Sequence, residues 1–425
     1  MAKVIFINRY YFPDHSATSQ LLTDLTVYLA ARRMDIHVVT SRQRYDNPAA
    51  DLPTEERHQG VTVHRVQTSR LGRTHLWGRA FDYLTFYMQA IRLLFSLVKA
   101  GDYVVAETDP PLISVCAGLV CHGRQAHLIN WVQDLFPEVA HALGVMPEGI
   151  GYRMLRRMRN WSLHLAVLNV VLGHRMEARL RDEGVAPTRI RVIHNWADGS
   201  AVRPVSHAQN PLRQEWHLAD SFVVGYSGNM GRAHEFETVL AAAERVRDRS
   251  NIVFLFIGDG AQRQHLEADA QRRGLTNICF RPYQPRERLA YSLSAADVHL
   301  VSLAPTLEGL IVPSKFYGIA AAGRATLFIG DAQGEVAHLI RRHACGASVA
   351  VGDAEALATH IRDMAEHPEA TAAMGRRART AFDTHFEMSR ARAAWETELR
   401  HLLGGSDSSP VGNIRDDRHP LKKIA

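Results

Sequence analysis

Short apolar runs of about four to seven residues recur along the chain, each closed by a polar or glycine turn and followed by a stretch of helical periodicity. They fall at residues 4–7, 36–40, 61–66, 103–106, 127–132, 165–171 and 190–193, and again at 222–226, 252–257, 278–280, 298–301 and 325–329. Helical periodicity lies between them, for example at 19–33, 79–99, 112–121 and 150–163, then at 236–247, 263–273, 286–295 and 315–322. Strand and helix in strict alternation predict parallel sheets with helices on both faces. Between the two series, residues 195–217 carry prolines and small polar residues with little periodicity, as an interdomain segment would. The predicted organisation is a first α/β domain over 1–198, a linker over 199–219 and a second α/β domain over 220–385. An amphipathic last helix over 386–403 and a disordered tail over 404–425 complete it.

A chain of 425 residues exceeds one ordinary core and requires two or three domains. Four cysteines, Cys116, Cys121, Cys279 and Cys345, lack the close spacing of a zinc or redox motif and read as reduced thiols. The apolar run at 4–7 is too short for a secretory leader, and no segment reaches the roughly 18 apolar residues of a membrane span. A cytoplasmic location is the expectation. Neither an HExxH pair nor a Gly-x-Ser-x-Gly elbow is present, and no metal site is expected.

The net charge of +6 is unevenly placed. Between residues 57 and 99 lie seven basic residues and one acid, Asp82, interleaved with Leu71, Trp77, Phe81, Tyr83, Leu84, Phe86 and Met88. That mixture suits the anionic face of a membrane better than nucleic acid, and equally suits a solvated helix whose aromatics are core. Arg153, Arg156, Arg157 and Arg159 form a second basic cluster.

Ligands of open parallel sheets bind at the carboxyl ends of strands. In the second domain three glycine-bearing turns occupy that position. The first holds Gly228, Asn229, Gly231 and Arg232, the second Gly258 and Gly260, and the third runs Glu308-Gly309-Leu310-Ile311-Val312-Pro313-Ser314-Lys315. Backbone N–H groups at such turns hold phosphate, a lysine adds a point charge for a diphosphate, and a carboxylate holds sugar hydroxyls. The same residues also suit a tight loop and a small-residue helix. In the first domain His15, in the loop Tyr10–Ser16, and Asp134, in Trp131–Glu138, leave strands, while His194 precedes the linker. These three are candidates for acceptor contact or proton handling. Asp134 also suits a helix N-cap, and His194 a structural turn.

Taken in order, Tyr11-Phe12-Pro13, Trp131-Val132-Gln133-Asp134-Leu135-Phe136-Pro137, His194-Asn195-Trp196-Ala197-Asp198, Tyr226-Ser227-Gly228-Asn229-Met230-Gly231, Gly258-Asp259-Gly260 and Glu308-x4-Pro313-Ser314-Lys315 resemble family 4 of the retaining glycosyltransferases. Within that family they look like the branch that builds bacterial exopolysaccharide of the colanic-acid type. The resemblance implies the GT-B fold, two Rossmann-like doubly wound domains facing a cleft, with the last helix crossing back to the first domain. It implies a nucleotide-sugar donor, UDP-sugar favoured, and a polyprenyl-diphosphate-linked saccharide acceptor at the inner membrane surface, with no cofactor. Glu308 would contact the donor sugar, and Lys315, Asp134 and His15 would complete the catalytic set. Gly228, Asn229, Gly231, Arg232, Gly258, Gly260, Gly309, Leu310, Ile311 and Ser314 would hold the donor. The chain departs from the family pattern in three places. Gly318 stands where a ribose-binding Glu is usual, and Asn229 and His234 stand where Arg and Lys are usual. Arg232 and Lys315 are the expected replacements for that charge. A sugar-nucleotide 2-epimerase of the same fold, and a non-catalytic nucleotide-sugar-binding partner of a membrane assembly, are the alternatives.

Overall fold

The computed structural model describes residues 2–45, 47, 49–71 and 76–404, and distributes the apolar runs over two sheets. The first sheet holds β1 (Val4–Ile7), β2 (Ile36–Ser41), β3 (Glu55–His58), β4 (Val61–Val66), β5 (Tyr103–Ala106), β6 (His127–Val132), β7 (Leu168–Val171) and β8 (Ile190–Val192). Their order is β3-β4-β2-β1-β5-β6-β7-β8, parallel except for the β3–β4 hairpin. The second holds β9 (Phe222–Ser227), β10 (Ile252–Ile257), β11 (Ile278–Arg281), β12 (Val298–Ser302), β13 (Ala325–Ile329) and β14 (Gly346–Val349). Its order is β11-β10-β9-β12-β13-β14, parallel throughout. The central strands are apolar on both faces because helices cover both. Chain direction across each sheet reverses once, between β1 and β5 and between β9 and β12. Those reversals open crevices at the strands' carboxyl ends.

Two edge strands escape the apolar pattern. β3 is Glu-Glu-Arg-His with exposure on alternate residues, so its pairing with β4 rather than its composition makes it a strand. β14 is short, glycine-led and only half-buried. Part of the segment read as linker belongs to the second domain. Pro211–Glu215 is a helix capped by the Asn210 side chain, and Leu212, Trp216 and Leu218 pack beneath the second sheet. Buried Arg213 binds Asp297 and the carbonyls of Ala295 and Leu218.

The last helix, Met388–Gly404, packs on the first sheet, not the second. Trp395 is fully buried there, 5.0 Å from Trp131 and 6.5 Å from Phe6 between ring centres. On the opposite face, helices Leu76–Leu97, Ile113–Arg124 and Ile150–Leu165 lie side by side. Between the domains, Leu135, Val171, Met176 and Leu180 share one apolar cluster with Leu303, Leu307, Leu310, Phe316 and Tyr317. Gly404, read as the first residue of a disordered tail over 404–425, ends the last helix, and the rest of that tail lies outside the described residues, as does Arg73 of the basic segment.

Candidate active site

The three glycine turns of the second domain converge at the β9–β12 reversal. The turns after β9 and β10 touch backbone to backbone: Met230 N–H donates to Asp259 O at 2.7 Å, and Gln262 N–H to Met230 O at 3.0 Å. Gly258 and Gly260 have φ of 135° and 145°. A Cβ on Gly258 would lie 2.2 Å from Gly228 O, and one on Gly260 2.4 Å from Asn229 Oδ1. Both conditions require glycine.

Lys315, the first residue of helix Lys315–Ala321, reaches this cluster from the end of β12. Its Nζ is 2.9 Å from His234 Nε2 and 5.1 Å from the Tyr226 ring centre, and its Cε would lie 2.9 Å from a Cβ on Gly228. His234 Nδ1 lies 2.6 Å from Ser302 O, so Nδ1 carries the proton and Nε2 accepts from the ammonium. Burial and Lys315 push His234 down to about 4, which keeps it neutral. Burial pulls Lys315 down to about 8. A half-desolvated ammonium with one neutral partner is poised for an anion. The expected replacement for the family's lysine thus stands against the histidine that displaced it. Arg232, the other expected replacement, is exposed, as are Asn229 and Ser314.

The stretch from Glu308 to Ile311 does different work from that expected. Leu310 and Ile311, expected among the donor-binding residues, both donate their N–H groups to Leu307 O, at 3.0 and 3.3 Å. Leu310 is buried in the interdomain cluster, and its carbonyl accepts from Leu135 N–H at 3.0 Å. Ile311 forms isolated β-bridges with both Asp134 and Glu308, which brings those backbone positions to one seam between the domains. Gly309 has φ 75°, with the Arg179 side chain against it. Glu308 Oε1 accepts from Glu335 N–H at 2.8 Å, at the start of helix Glu335–His343. Glu335 in turn accepts from Arg175 N–H of the first domain at 2.9 Å. Burial raises Glu308 above the usual carboxyl range, against the lowering effect of that hydrogen bond. A sugar contact by Glu308 therefore competes with its capping bond.

Asp134 is partly buried, and burial raises it to about 6 despite a hydrogen bond with Thr108. It caps no helix, since Pro137 holds that position before Glu138–Ala142. His15 is exposed on the loop after β1. The loop is braced by its neighbour Asp14, a buried carboxylate that accepts from Ser16 N–H at 2.7 Å and from Tyr45 N–H. His194 lies 2.8 Å from Leu172 O through Nδ1 and packs against Phe386 and His174, a structural place at the domain junction. Burial lowers it. Among the described residues, only Leu293 lies within 4 Å of the position of a Cβ on Gly318, at 3.6 Å. Tyr283 was missed: its ring lies 3.3 Å from a Cβ on Gly258 and is half exposed at the wall of the turns. A lone tyrosine after a short strand gives no sequence signal.

Sequence comparison decides the family. Residues 18–196 match the Glycosyl transferase 4-like domain, and residues 209–381 match Glycosyl transferases group 1. A Pseudomonas aeruginosa protein named as a glycosyltransferase, WbjE, is 32% identical over 278 residues, spanning 64% of this chain and 68% of its own. The chain belongs to glycosyltransferase family 4. Within it, the chain is of the exopolysaccharide and colanic-acid type. WcaI of Escherichia coli K12, named for colanic acid biosynthesis, is 28% identical over 79% of this chain and 85% of its own. Solved structures agree on the GT-B fold. Sucrose-phosphate synthase of Thermosynechococcus elongatus superposes with a TM-score of 0.75 at 18% identity, covering 96% of this chain and 100% of that one. The Anabaena protein HepE, in complex with UDP-glucose, gives 0.69 at 15% identity, over 94% of this chain and 99% of its own. This glycosyltransferase has, among its described residues, no helix long and apolar enough to cross a membrane.

Proposed function

We propose that this glycosyltransferase moves a sugar from a UDP-sugar to a hydroxyl of a polyprenyl-diphosphate-linked saccharide, with retention of anomeric configuration, in surface-polysaccharide synthesis. The observation that carries the reading is Lys315, seated over Gly228 and against neutral His234, beside glycine turns that admit no side chain. A diphosphate fits that combination of bare backbone and one desolvated cation. Tyr283 offers a ring to the base beside Gly258. The UDP-glucose complex of HepE supports a uridine donor, and the names of WbjE and WcaI support the polymer context.

In this reading the charge that builds on the leaving diphosphate is met by Lys315, and Arg232 approaches from solvent. Metal is not required. The backbones of Glu308 and Asp134 meet at Ile311 on the domain seam, and in this reading Glu308 serves the donor sugar and Asp134 the acceptor hydroxyl. The leaving phosphate oxygen takes the acceptor proton, and Asp134 orients the hydroxyl, with His15 on the loop beyond. Domain closure excludes water.

A lipid-borne acceptor is supported by the outer face of the first domain. Trp77, Phe81, Leu84, Met88 and Phe95 are exposed along one side of helix Leu76–Leu97. Ile150, Met154, Met158 and Trp161 are exposed along helix Ile150–Leu165, and Leu119 on the helix between. Trp77 is 84% and Ile150 87% exposed, far beyond what scattered surface residues need. Arg79, Arg92, Arg153 and Arg157 are exposed on the same helices, which suits an anionic bilayer. The second basic cluster is only partly part of this. Arg159 is buried on Glu138, and Arg156 is paired with Glu183.

The test is transfer of labelled sugar from a panel of UDP- and GDP-sugars to lipid-linked saccharide extracted from a surface-polysaccharide mutant, with EDTA in parallel. Labelled lipid with a UDP-sugar, unchanged by EDTA, is expected. An epimerised nucleotide sugar without acceptor, or UDP-sugar binding with neither transfer nor hydrolysis, would overturn the reading.

A further inference from the structure

Behind Asp134 lies a polar feature that the donor-side chemistry does not use. A cavity of about 30 Å3 at the carboxyl ends of β5 and β6 is lined by Glu107, Thr108, Asn130, Asp134 and Arg159 among others. Space of that size holds one or two water molecules. Glu107 follows β5 directly, beside β1, at the reversal of strand order. It is 1% exposed, and neither carboxyl oxygen has a protein partner. Asn130 Oδ1, Asp134 Oδ1 and Arg159 Nε and Nη1 are also buried without one. Buried polar atoms are almost always bonded to protein or to ordered water. Six such atoms, on four residues around one water-sized cavity, indicate a water-bridged network.

Charge decides the direction of its hydrogen bonds. Arg159 is already engaged, since its Nη2 is 2.5 Å from Glu138 and 3.5 Å from Glu183. An ionised Glu107 would have no direct donor, which is costly in such a place. Burial, reinforced by Asp109, drives Glu107 well above the usual carboxyl range. A neutral carboxyl has a proton to donate. The charged groups facing Asp134 are Asp109 from the loop after β5 and, across the cavity on the helix side, Arg159, itself paired with Glu138 and Glu183; Glu308 approaches only through the Ile311 backbone.

We propose that Glu107 is a positioning residue for Asp134: as a neutral acid it donates through ordered water in this cavity to Asp134 Oδ1, while Asn130 and Arg159 fill the water's remaining bonds. The donated bond holds Asp134 ionised and aimed at the acceptor hydroxyl, and no proton changes owner. The proposal rests on the reading of Asp134 as the acceptor-side carboxylate.

The experiment follows the carboxyl carbons of Asp134 and Glu107 by 13C NMR titration of the full chain, and the pH profile of kcat/KM, in wild type, Glu107→Gln and Glu107→Leu. Gln keeps a donor, so the Asp134 titration and the acid limb of the profile stay in place. Leu removes it, so both move upward by about one pH unit. Glu107 itself stays protonated at neutral pH in the wild type, a readout that needs no variant to fold. A Glu107 that titrates as an ordinary anion, a downward move in Glu107→Gln, or a still Asp134 in folded Glu107→Leu would each overturn the proposal. The thermal shift produced by UDP, whose site is in the second domain, certifies the fold of each variant. Should Asp134 move in the NMR titration while the activity profile does not, the coupling stands and the acceptor-side role of Asp134 falls.

Discussion

The two domains share a fold plan but build their candidate sites by different means. In the second, the site is made of backbone: glycine turns pressed together at the β9–β12 reversal, with one lysine laid across them. In the first, it is made of side chains: a carboxylate at the domain seam, a buried polar pocket behind it and an apolar outer face. In the proposed reading the contrast follows from the ligands. A diphosphate offers the same oxygens whatever sugar it carries, so a fixed backbone frame and a charge suffice. An acceptor differs in every hydroxyl, so its domain relies on shaped side chains.

The strongest way to break this contrast is at the lysine. Lys315→Ala should lower turnover by about 10²–10³-fold, the usual loss on removing a preorganised charge-stabilising group. A purified variant with near-normal turnover would show that backbone alone holds the diphosphate. Glu308 tests the seam. Glu308→Ala should cost most of the activity and also about 1 kcal/mol of stability, because it uncaps helix Glu335–His343. Glu308→Gln keeps an acceptor for Glu335 N–H, so turnover assays and denaturant melts of the two variants separate the catalytic from the capping role.

Gly258→Ala probes the backbone side directly. With φ at 135° and Gly228 O 2.2 Å from the new Cβ, it should destabilise the protein by about 1–3 kcal/mol and abolish the UDP-induced thermal shift. A variant as stable as wild type and still bound by UDP would mean that the turns are not in contact. A milder effect lies in pH. Lys315 loses its proton near 8 in the free protein, and a bound diphosphate favours the charged form. Affinity for UDP should therefore fall as pH rises through about 8, with proton uptake on binding above that value, both visible by calorimetry. Lys315→Met should remove the dependence. The smallest effect on chemistry is expected at the outer face. Trp77→Ser with Phe81→Ser should weaken sedimentation with anionic vesicles by about tenfold, at roughly 1–2 kcal/mol of lost apolar burial, while transfer to a detergent-dispersed acceptor continues.

Much of the architecture could be read before any coordinates. Val4–Ile7 and Ile252–Ile257 are apolar on every residue because parallel strands are covered on both sides. The missed strands are those that obey no such rule: β3 is polar and β14 is glycine-led, and each is a strand only because a neighbour offers it an edge. Helix Pro211–Glu215 was missed for a similar reason, being five residues long and anchored by Arg213.

The site was legible unevenly. Gly258, Gly260 and Lys315 could be singled out because glycine after a strand and lysine at a helix start leave a mark in one dimension. The surroundings of Leu310 and Ile311 were not legible, because their amides are taken by Leu307, and the Leu310 carbonyl by Leu135, partners that only the folded loop and the closed domains supply. Glu107 gave no sign at all, since its character depends on what fails to touch it.

Sequence by itself determined the alternation of elements, the division into two α/β units and the turns where only glycine fits, because these depend on local periodicity and backbone sterics. Tertiary structure alone decided that Lys315 meets His234, that Glu308 caps a distant helix, and that Asp134 backs onto a buried acid. Hydrogen-bond partnership and desolvation are set by neighbours in space, and residues 81, 27 or 27 positions apart become neighbours only when the sheets and the domains have closed.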